Sequence, residues 1–222
     1  MGNAAARRER RKIERREAIL DAAAHVFGQK GAHAATMDDV AEAAEVSKGT
    51  LYLYFPSRDE LVVALAHRPL DAVLERFDAM GDEGLDGLSL LRRLVAMHQQ
   101  TTQEHAAQLR VAIGSLCTAH VEPSTPAAAP REYGERVRRL RSHYFAAIQR
   151  GMADGSIRPD IDPEEVGAAL WAGMFGASFI RMNADRYEAT MGDDPPPYPL
   201  EQIHEAVAKL LFRAIAADRE VA

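Results

Sequence analysis

The sequence predicts an all-α protein of about nine helices. Of its 222 residues, 40 are alanine and 15 are glycine, a composition that favours helix over strand. Apolar residues recur at the spacing of an amphipathic helix along most of the chain, and no stretch shows the alternation typical of a strand. The hydrophobic fraction of 47% and the net charge of −6 are those of a folded chain with a sizeable core.

The first two helices are separated by a glycine stop and a threonine cap. Helical periodicity covers about residues 8–28, and Gly31 supplies the stop. Thr36 is a suitable N-cap, and two acidic residues follow it where a helix N-terminus favours negative charge. We therefore expect a short second helix over about 37–44.

Serine caps and prolines delimit the next two helices. Ser47 is a second N-cap, so a third helix of about two turns covers 47–55. Pro56 ends it, because the residue before a proline avoids the helical region. Ser57 caps a fourth helix, which Pro69 interrupts.

The rest of the chain reads as a helical bundle with two proline-rich loops. A long amphipathic stretch is compatible with one helix or with two that meet near Glu104. The loops lie at 121–130 and around Pro195, Pro196 and Pro197. The expected helices lie at about 88–118, 131–153, 163–184 and 199–218.

The N-terminus carries most of the positive charge. Residues 1–16 contain seven basic and two acidic side chains, a net charge of +5, so the other 206 residues carry −11. Such an arm on an acidic body favours contact with a polyanion. The alternative is a solvated tail whose inner part is the polar start of helix 1.

Two short helices joined at Glu45–Val46 form a helix-turn-helix pattern. In this motif the second helix enters the DNA major groove. Val46, Leu51 and Phe55 are its apolar positions for packing against helices 1 and 2, which leaves the opposite face outward.

The outward face offers several chemistries to DNA. Lys48 can donate to guanine O6 and N7, while Leu53 and the Thr50 methyl can contact a thymine methyl. Gly49 lets the backbone approach closely. Tyrosine hydroxyls, the capped helix ends and an arginine fork can hold phosphates, although the tyrosines could also be core aromatics beside Phe55. The predicted DNA-binding residues are Thr36, Ser47, Lys48, Gly49, Thr50, Tyr52, Leu53, Tyr54 and Arg58.

The stretch from Ile19 to Leu61 resembles the N-terminal domain of tetracycline-repressor-type (TetR family) regulators. Two positions depart from the family pattern: Arg58 stands where lysine is frequent, and Leu53 offers no hydrogen bond to a base. The matching residues are Ile19-Leu20, Ala22-Ala23, Phe27, Gly31, Thr36-Met37, Val40-Ala41, Ala44, Val46-Ser47-Lys48-Gly49-Thr50-Leu51-Tyr52, Tyr54-Phe55, Ser57-Arg58 and Glu60-Leu61.

The resemblance implies a helix-turn-helix DNA-binding domain over 1–56 and a ligand-binding and dimerisation domain over 57–222. It implies a homodimeric repressor that binds a palindromic double-stranded operator and is released by a small molecule. The helices near 163–184 and 199–218 would form the dimer interface; the alternative is that they are core helices within one chain.

The effector site is the least constrained prediction. A methionine and aromatic stripe at helical spacing is compatible with a pocket for a small apolar or aromatic molecule, and also with ordinary core packing. The candidate ligand-binding residues are Met97, His98, Arg110, Trp171, Phe175 and Met182.

Several function classes find no support in the sequence. A single cysteine, Cys117, excludes an intrachain disulfide framework, and Cys117 with His120 lacks further metal ligands nearby. No catalytic or cofactor-binding motif occurs, so we expect no enzyme, metal or cofactor. Without a membrane span or a signal peptide, we expect a cytoplasmic protein.

Two other functions remain open from the residues alone. One is an all-α small-molecule-binding protein or enzyme that has lost DNA binding. The other is a DNA-binding regulator controlled by a protein partner or by none. Binding to DNA at low salt would discriminate the first from a regulator, and the absence of a cavity would favour the second.

Overall fold

The structure is a computed structural model that describes residues 2–31, 34–81, 84–111, 128–192 and 198–217. Helices dominate these residues, which confirms the predicted fold class, and residues 106–111 are also helical. Among the described residues the only extended pairing is an isolated bridge between Ile157 and Ala216. The helices with both ends described are α1 (Gly2–Lys30), α2 (Met37–Ala43), α3 (Lys48–Tyr54), α4 (Arg58–Ala79), α5 (Gly87–Glu104), α6 (Ala128–Asp154), α7 (Pro163–Met182), α8 (Ala184–Met191) and α9 (Ile203–Ile215), with a 3₁₀ turn at Leu200–Gln202.

The three predicted N-caps form as expected. The Thr36 hydroxyl accepts the backbone N–H of Asp39 at 3.2 Å, and the Asp39 carboxylate accepts the backbone N–H of Thr36 at 2.9 Å, which completes a capping box. The hydroxyls of Ser47 and Ser57 each accept a backbone N–H three residues later, at 3.1 Å. These hydrogen bonds fix where α2, α3 and α4 begin.

Some element boundaries differ from the prediction. Helix α1 begins at Gly2 instead of near residue 8, because the basic segment consists mainly of alanine and arginine, both strong helix formers. The long stretch after residue 87 divides at His105, so α5 ends at Glu104 as the two-helix alternative requires. Helix α8 was not predicted, since it is short and largely polar.

Several predicted features lie outside the described residues. These are Cys117 and His120, most of the 121–130 loop, the three prolines at 195–197, and the end of the helix expected to reach residue 118.

The described residues form two compact units, which we call the N-terminal unit (within Met1–Pro69 and His105–Gly134) and the C-terminal unit (within Leu70–Glu104 and Glu135–Ala222). Helix α4 passes from one to the other after Pro69. The domain boundary expected after Pro56 stays a prediction.

The core of the N-terminal unit joins α1, α2, α3 and the start of α4. Ile19, Leu20, Val40, Leu51 and Leu61 are completely buried in it. Ile19 and Leu20 come from α1, so the helix that carries the basic arm is anchored in the same core as α3. The helix of the basic arm and α3 therefore share one hydrophobic core.

The core of the C-terminal unit is built from the second half of α4 and from α5, α6, α7 and α9. Leu91, Ile148, Leu170 and Phe212 are buried in it. Helices α5 and α6 cross at two glycines, because a Cβ on Gly87 would lie 2.0 Å from the backbone nitrogen of Gly151. Among the described residues, no helix has both the length and the apolar character needed to cross a membrane.

Candidate nucleic-acid interface

Helices α2 and α3 form the predicted helix-turn-helix. The turn contains Glu45, whose φ is 52°, and the backbone N–H of Val46 donates a hydrogen bond of 3.0 Å to the carbonyl of Ala41. Leu51 and Phe55 are buried on the inner side of α3. The prediction that this face packs on the first two helices is therefore confirmed.

The opposite face of α3 is open to solvent. Leu53 is 81% exposed and Tyr52 is 40% exposed, while Lys48 and Gly49 are also exposed. A Cβ on Gly49 would meet only the Ser47 hydroxyl, at 4.0 Å, so packing within the chain does not require a glycine there. Tyr54 is instead half-buried and packs against the core, as the core-aromatic alternative expected.

Lys48 forms an ion pair that the sequence pattern did not predict. Its Nζ lies 2.8 Å and 3.0 Å from the two carboxylate oxygens of Asp38, in the first turn of α2. The hydrogen bond from Lys48 to Asp38 raises the pKa of the ammonium above its ordinary value. Both side chains remain exposed. The ion pair therefore keeps a positively charged Lys48 side chain at the protein surface.

The hydroxyls near the helix ends serve the caps. Thr36 donates its hydroxyl proton to Asp39 at 2.8 Å, and Ser47 and Thr50 share a 2.8 Å hydrogen bond. The pKa of the Asp39 carboxyl is lowered to about 2. The largest cause is the hydrogen bond from the Lys30 ammonium, 2.6 Å away, and the hydrogen bonds from Thr36 add to it. Thr36 therefore stabilises α2 directly, and its predicted contact with phosphate stays a prediction.

Two arginines of the N-terminal unit lie over aromatic rings. The Arg58 guanidinium is 5.6 Å from the centre of the Phe27 ring, and that of Arg16 is 5.1 Å from the centre of Phe55. Stacking of this kind orients a guanidinium and leaves its N–H groups available at the ring's edge. It favours a fixed orientation for the predicted Arg58 contact with the DNA backbone.

A broad cationic groove lies between the first half of α1 and the end of α3. Its volume is about 1170 Å³. Leu53 and Tyr54 form the α3 side, and the α1 side carries four basic and two acidic residues: Arg8, Arg11, Lys12, Arg15, Glu9 and Glu14. The basic arm is thus a helix beside the exposed face of α3.

The predicted effector residues are distributed over both units. Trp171 is 51% exposed and stacks on Phe175 with ring centres 5.4 Å apart. His98 hydrogen-bonds the Tyr144 hydroxyl at 2.7 Å, and Met97 and Met182 are partly buried. Arg110 is exposed and belongs to the N-terminal unit, whereas the other five belong to the C-terminal unit. The assignment of these six residues to one site stays a prediction.

The C-terminal unit contains polar and groove-lining residues that the sequence pattern did not reveal. Trp171 borders a groove of about 330 Å³ with Tyr144, Phe145, Arg138 and Arg141. His204 is buried on the inner face of α9 with Phe212 and Ile215. A histidine at an apolar position of this helix was the sequence feature that could have identified it. No group of three or more potential metal ligands occurs among the residues with described placement.

The sequence is similar to those of known bacterial regulatory proteins. Residues 19–65 match the family model for bacterial regulatory proteins of the tetR family. The chain is 30% identical over 153 residues to the HTH-type transcriptional repressor KstR2 of Rhodococcus jostii, which covers 69% of this chain and 72% of the relative. It is 26% identical over 166 residues to the regulator RutR of Escherichia coli K12, covering 75% and 74% of the two chains.

Solved structures share the whole fold. A putative transcriptional regulator from Saccharomonospora viridis in complex with choline has a TM-score of 0.72 at 19% identity, covering 91% of this chain and 98% of that one. KstR2 of Mycobacterium tuberculosis has a TM-score of 0.62 at 22% identity, covering 92% and 96%. The chain therefore belongs to the TetR family of bacterial regulatory proteins and is a DNA-binding transcriptional regulator.

Proposed function

We propose that this regulator is a homodimeric repressor that binds a palindromic operator and leaves it when a small, mostly apolar effector binds. The observation that carries the proposal is the outward face of α3. It presents a cation, a phenol and an exposed leucine on a helix that a buried Leu51 and a Ser47 cap hold in place. The relation to a named repressor supports the direction of regulation.

Base recognition belongs to the first turns of α3. Lys48 lies at the start of the helix, where residues of a recognition helix contact base edges. Its ion pair with Asp38 is exposed, so exchanging that partner for guanine O6 and N7 costs little.

Backbone contacts come from the cationic groove and from Arg58. Four basic residues along α1, together with Glu9 and Glu14, line this groove and give it a net positive charge that attracts phosphates. Their charge carries no sequence information, so it raises affinity for every duplex and makes that affinity dependent on salt.

The dimer interface is proposed on the outer faces of α7 and α9. Phe175, Phe179 and Leu210 are exposed there, although all three are large apolar residues. The two helices form one surface because Gly173 allows close contact: a Cβ at this position would lie 2.8 Å from Val207. An exposed apolar surface of this kind is typical of an interaction site.

The effector site is proposed in the groove beside Trp171. Aromatic and aliphatic side chains line it, together with two cations, Arg138 and Arg141, and one carboxylate, Glu164. Its volume of about 330 Å³ suits a small ligand. We propose ligand-controlled DNA binding, and not catalysis, as the activity of this chain, acting in the cytoplasm.

Selection of bound duplexes from a random-sequence library tests the proposed function. We expect enrichment of a two-fold symmetric motif, whose half-sites are separated by about one helical turn or a multiple of it. Enrichment of a single asymmetric site would contradict the homodimer, and recovery of unenriched sequence at low salt would contradict a sequence-specific repressor.

A further inference from the structure

The C-terminal unit contains two hydrogen-bonded pairs, His98 with Tyr144 and Ser178 with His204, and Arg181 acts electrostatically on His204; we call these five residues the polar cluster. His204 is 0% exposed, and its Nε2 lies 2.9 Å from the Ser178 hydroxyl. Its other ring nitrogen, Nδ1, is buried and has no hydrogen-bond partner among the described residues. Because an unpaired buried polar atom is energetically unfavourable, this atom is a candidate contact for a bound molecule.

Arg181 supplies a positive charge that acts on this histidine. With the Gln103 amide turned so that its oxygen faces the guanidinium, Arg181 donates two hydrogen bonds of 2.6 Å and 3.1 Å to a neutral acceptor. No ion pair of Arg181 with a carboxylate occurs in the part of the chain that is described, and the nearby Glu104 pairs with Arg76 at 2.5 Å. The guanidinium is partly buried, and that burial lowers its pKa.

Both histidines of the cluster are neutral at physiological pH. Burial, and then the charge of Arg181, lower the pKa of His204 to about 4. Burial, and then His204, lower the pKa of His98 to about 4. The cluster therefore carries one net positive charge, which matches a monoanion better than a dianion or a cation.

We propose that Arg181 and His204 bind the carboxylate of an apolar monocarboxylic acid, which is the effector; this inference depends on the effector-controlled function proposed above. When the Ser178 hydroxyl donates to Nε2, the neutral imidazole carries its proton on Nδ1 and can donate it to a carboxylate oxygen. The guanidinium donates to the other oxygen.

In this proposal the apolar part of the ligand extends from the cluster toward the surface groove. Tyr144 lines that groove with Trp171, and its hydroxyl contacts His98 inside the unit at 2.7 Å. An aliphatic or aromatic chain lying along these rings would place its carboxyl end toward the cluster. The effector class is thus an amphipathic acid instead of a purely apolar molecule.

The test compares sodium octanoate with 1-octanol, which has the same chain length and no charge. Emission of Trp171, the single tryptophan of the chain, reports binding of both probes. We expect wild-type protein to bind octanoate at least tenfold more tightly, and Arg181→Gln to reduce this preference to near unity. Lys209→Gln removes an exposed cation from α9 and should keep the full preference.

A second measurement needs no variant. In protein labelled with ¹⁵N-histidine, octanoate should shift the side-chain nitrogen resonance of His204 Nδ1, and octanol should not. The inference would be overturned by equal affinity for the two probes or by the absence of octanoate binding at millimolar concentration. It would also be overturned by a preference that survives Arg181→Gln or is lost in Lys209→Gln, or by an Nδ1 resonance that does not shift.

Operator release distinguishes this inference from the function on which it depends. If octanoate binds through Arg181 but DNA stays bound, the acid site stands and effector control fails. If octanol and octanoate release DNA equally well, effector control stands and the carboxylate site fails.

Discussion

Gly49 shows at the residue scale how folding and DNA binding place different demands on α3. Open space surrounds its Cα, so Gly49→Ala should stabilise the unbound protein by up to about 1 kcal/mol through helix propensity. The same methyl group should weaken operator binding by about 1–3 kcal/mol, because it prevents close approach of the backbone to DNA.

Thermal unfolding and operator titration measure the two effects separately. Gly28→Ala is the matched control, since Gly28 is helical and a Cβ added there would also have open space around it. It should raise stability without changing affinity for DNA. A Gly49→Ala protein that binds the operator as tightly as wild type would show that the backbone does not approach DNA there.

The lowered pKa values of His98 and His204 predict an acid-sensitive C-terminal unit. Their folded-state pKa of about 4 lies below the unfolded value of about 6.5, so the unfolded chain takes up protons first as pH falls. Stability should therefore be full above about pH 6.5 and decline toward pH 4. The groups facing these imidazoles are Tyr144, Ser178 and the cationic Arg181.

We expect a loss on the order of 2 kcal/mol per histidine between pH 7 and pH 5. Urea unfolding at the two pH values measures it, with His204→Gln expected to lose about half as much as wild type over the same interval. A pH-independent free energy of unfolding would show that these imidazoles are not held neutral by burial.

The sequence could not predict the polar contacts because they join residues distant in the chain. Ser178 and His204 are 26 positions apart, and Lys48 reaches Asp38 across a turn whose geometry depends on the packing of α2 and α3. The outward position of Lys48, by contrast, followed from helical spacing alone, since Leu51 and Phe55 had to face inward.

At the scale of elements, local hydrogen bonding made the N-terminal helices predictable. Thr36, Ser47 and Ser57 each bond a backbone N–H only three residues away, so the caps can be recognised without knowing the fold. Helix α8 could not be recognised, because Ala184–Met191 is short and largely polar. Only Asn183 separates it from the end of α7.

The crossing of α5 and α6 gives a prediction at the same scale. Gly87→Ala would place its methyl carbon 2.0 Å from the Gly151 nitrogen and 2.3 Å from its Cα, both backbone atoms that cannot rotate away. We expect destabilisation of at least about 3 kcal/mol, since the two helices must separate.

Chemical denaturation measures this loss, and Gly81→Ala serves as the control. Gly81 belongs to the same unit, and a Cβ there would have no neighbour within 4 Å. Its substitution should change stability by less than about 1 kcal/mol. Equal effects of the two substitutions would mean that α5 and α6 do not cross as closely as the structure has them.

For the whole molecule, the proposed dimer depends on the outer faces of α7 and α9. Leu210 is 67% exposed on that surface. Leu210→Glu would bury a charge in each half of a two-fold interface, so we expect dimerisation to weaken by about 2–5 kcal/mol. Lys209→Glu changes the neighbouring exposed position and should leave the dimer intact.

Light scattering after size exclusion gives the mass of each variant directly. Wild type and Lys209→Glu should elute with the mass of two chains, and Leu210→Glu with a large monomer fraction at micromolar concentration. A monomeric wild-type protein, or a Leu210→Glu dimer of undiminished stability, would place the interface elsewhere.

The central claim is that α3 reads the operator through Lys48, and one measurement tests it most directly. Wild type and Lys48→Ala are titrated against the selected operator and against each of its single-base variants. We predict that Lys48→Ala loses about 1–3 kcal/mol on the parent site and no longer discriminates at one base pair in each half-site. A loss of affinity that is the same for every single-base variant of the operator, or no loss of affinity at all, would contradict the claim.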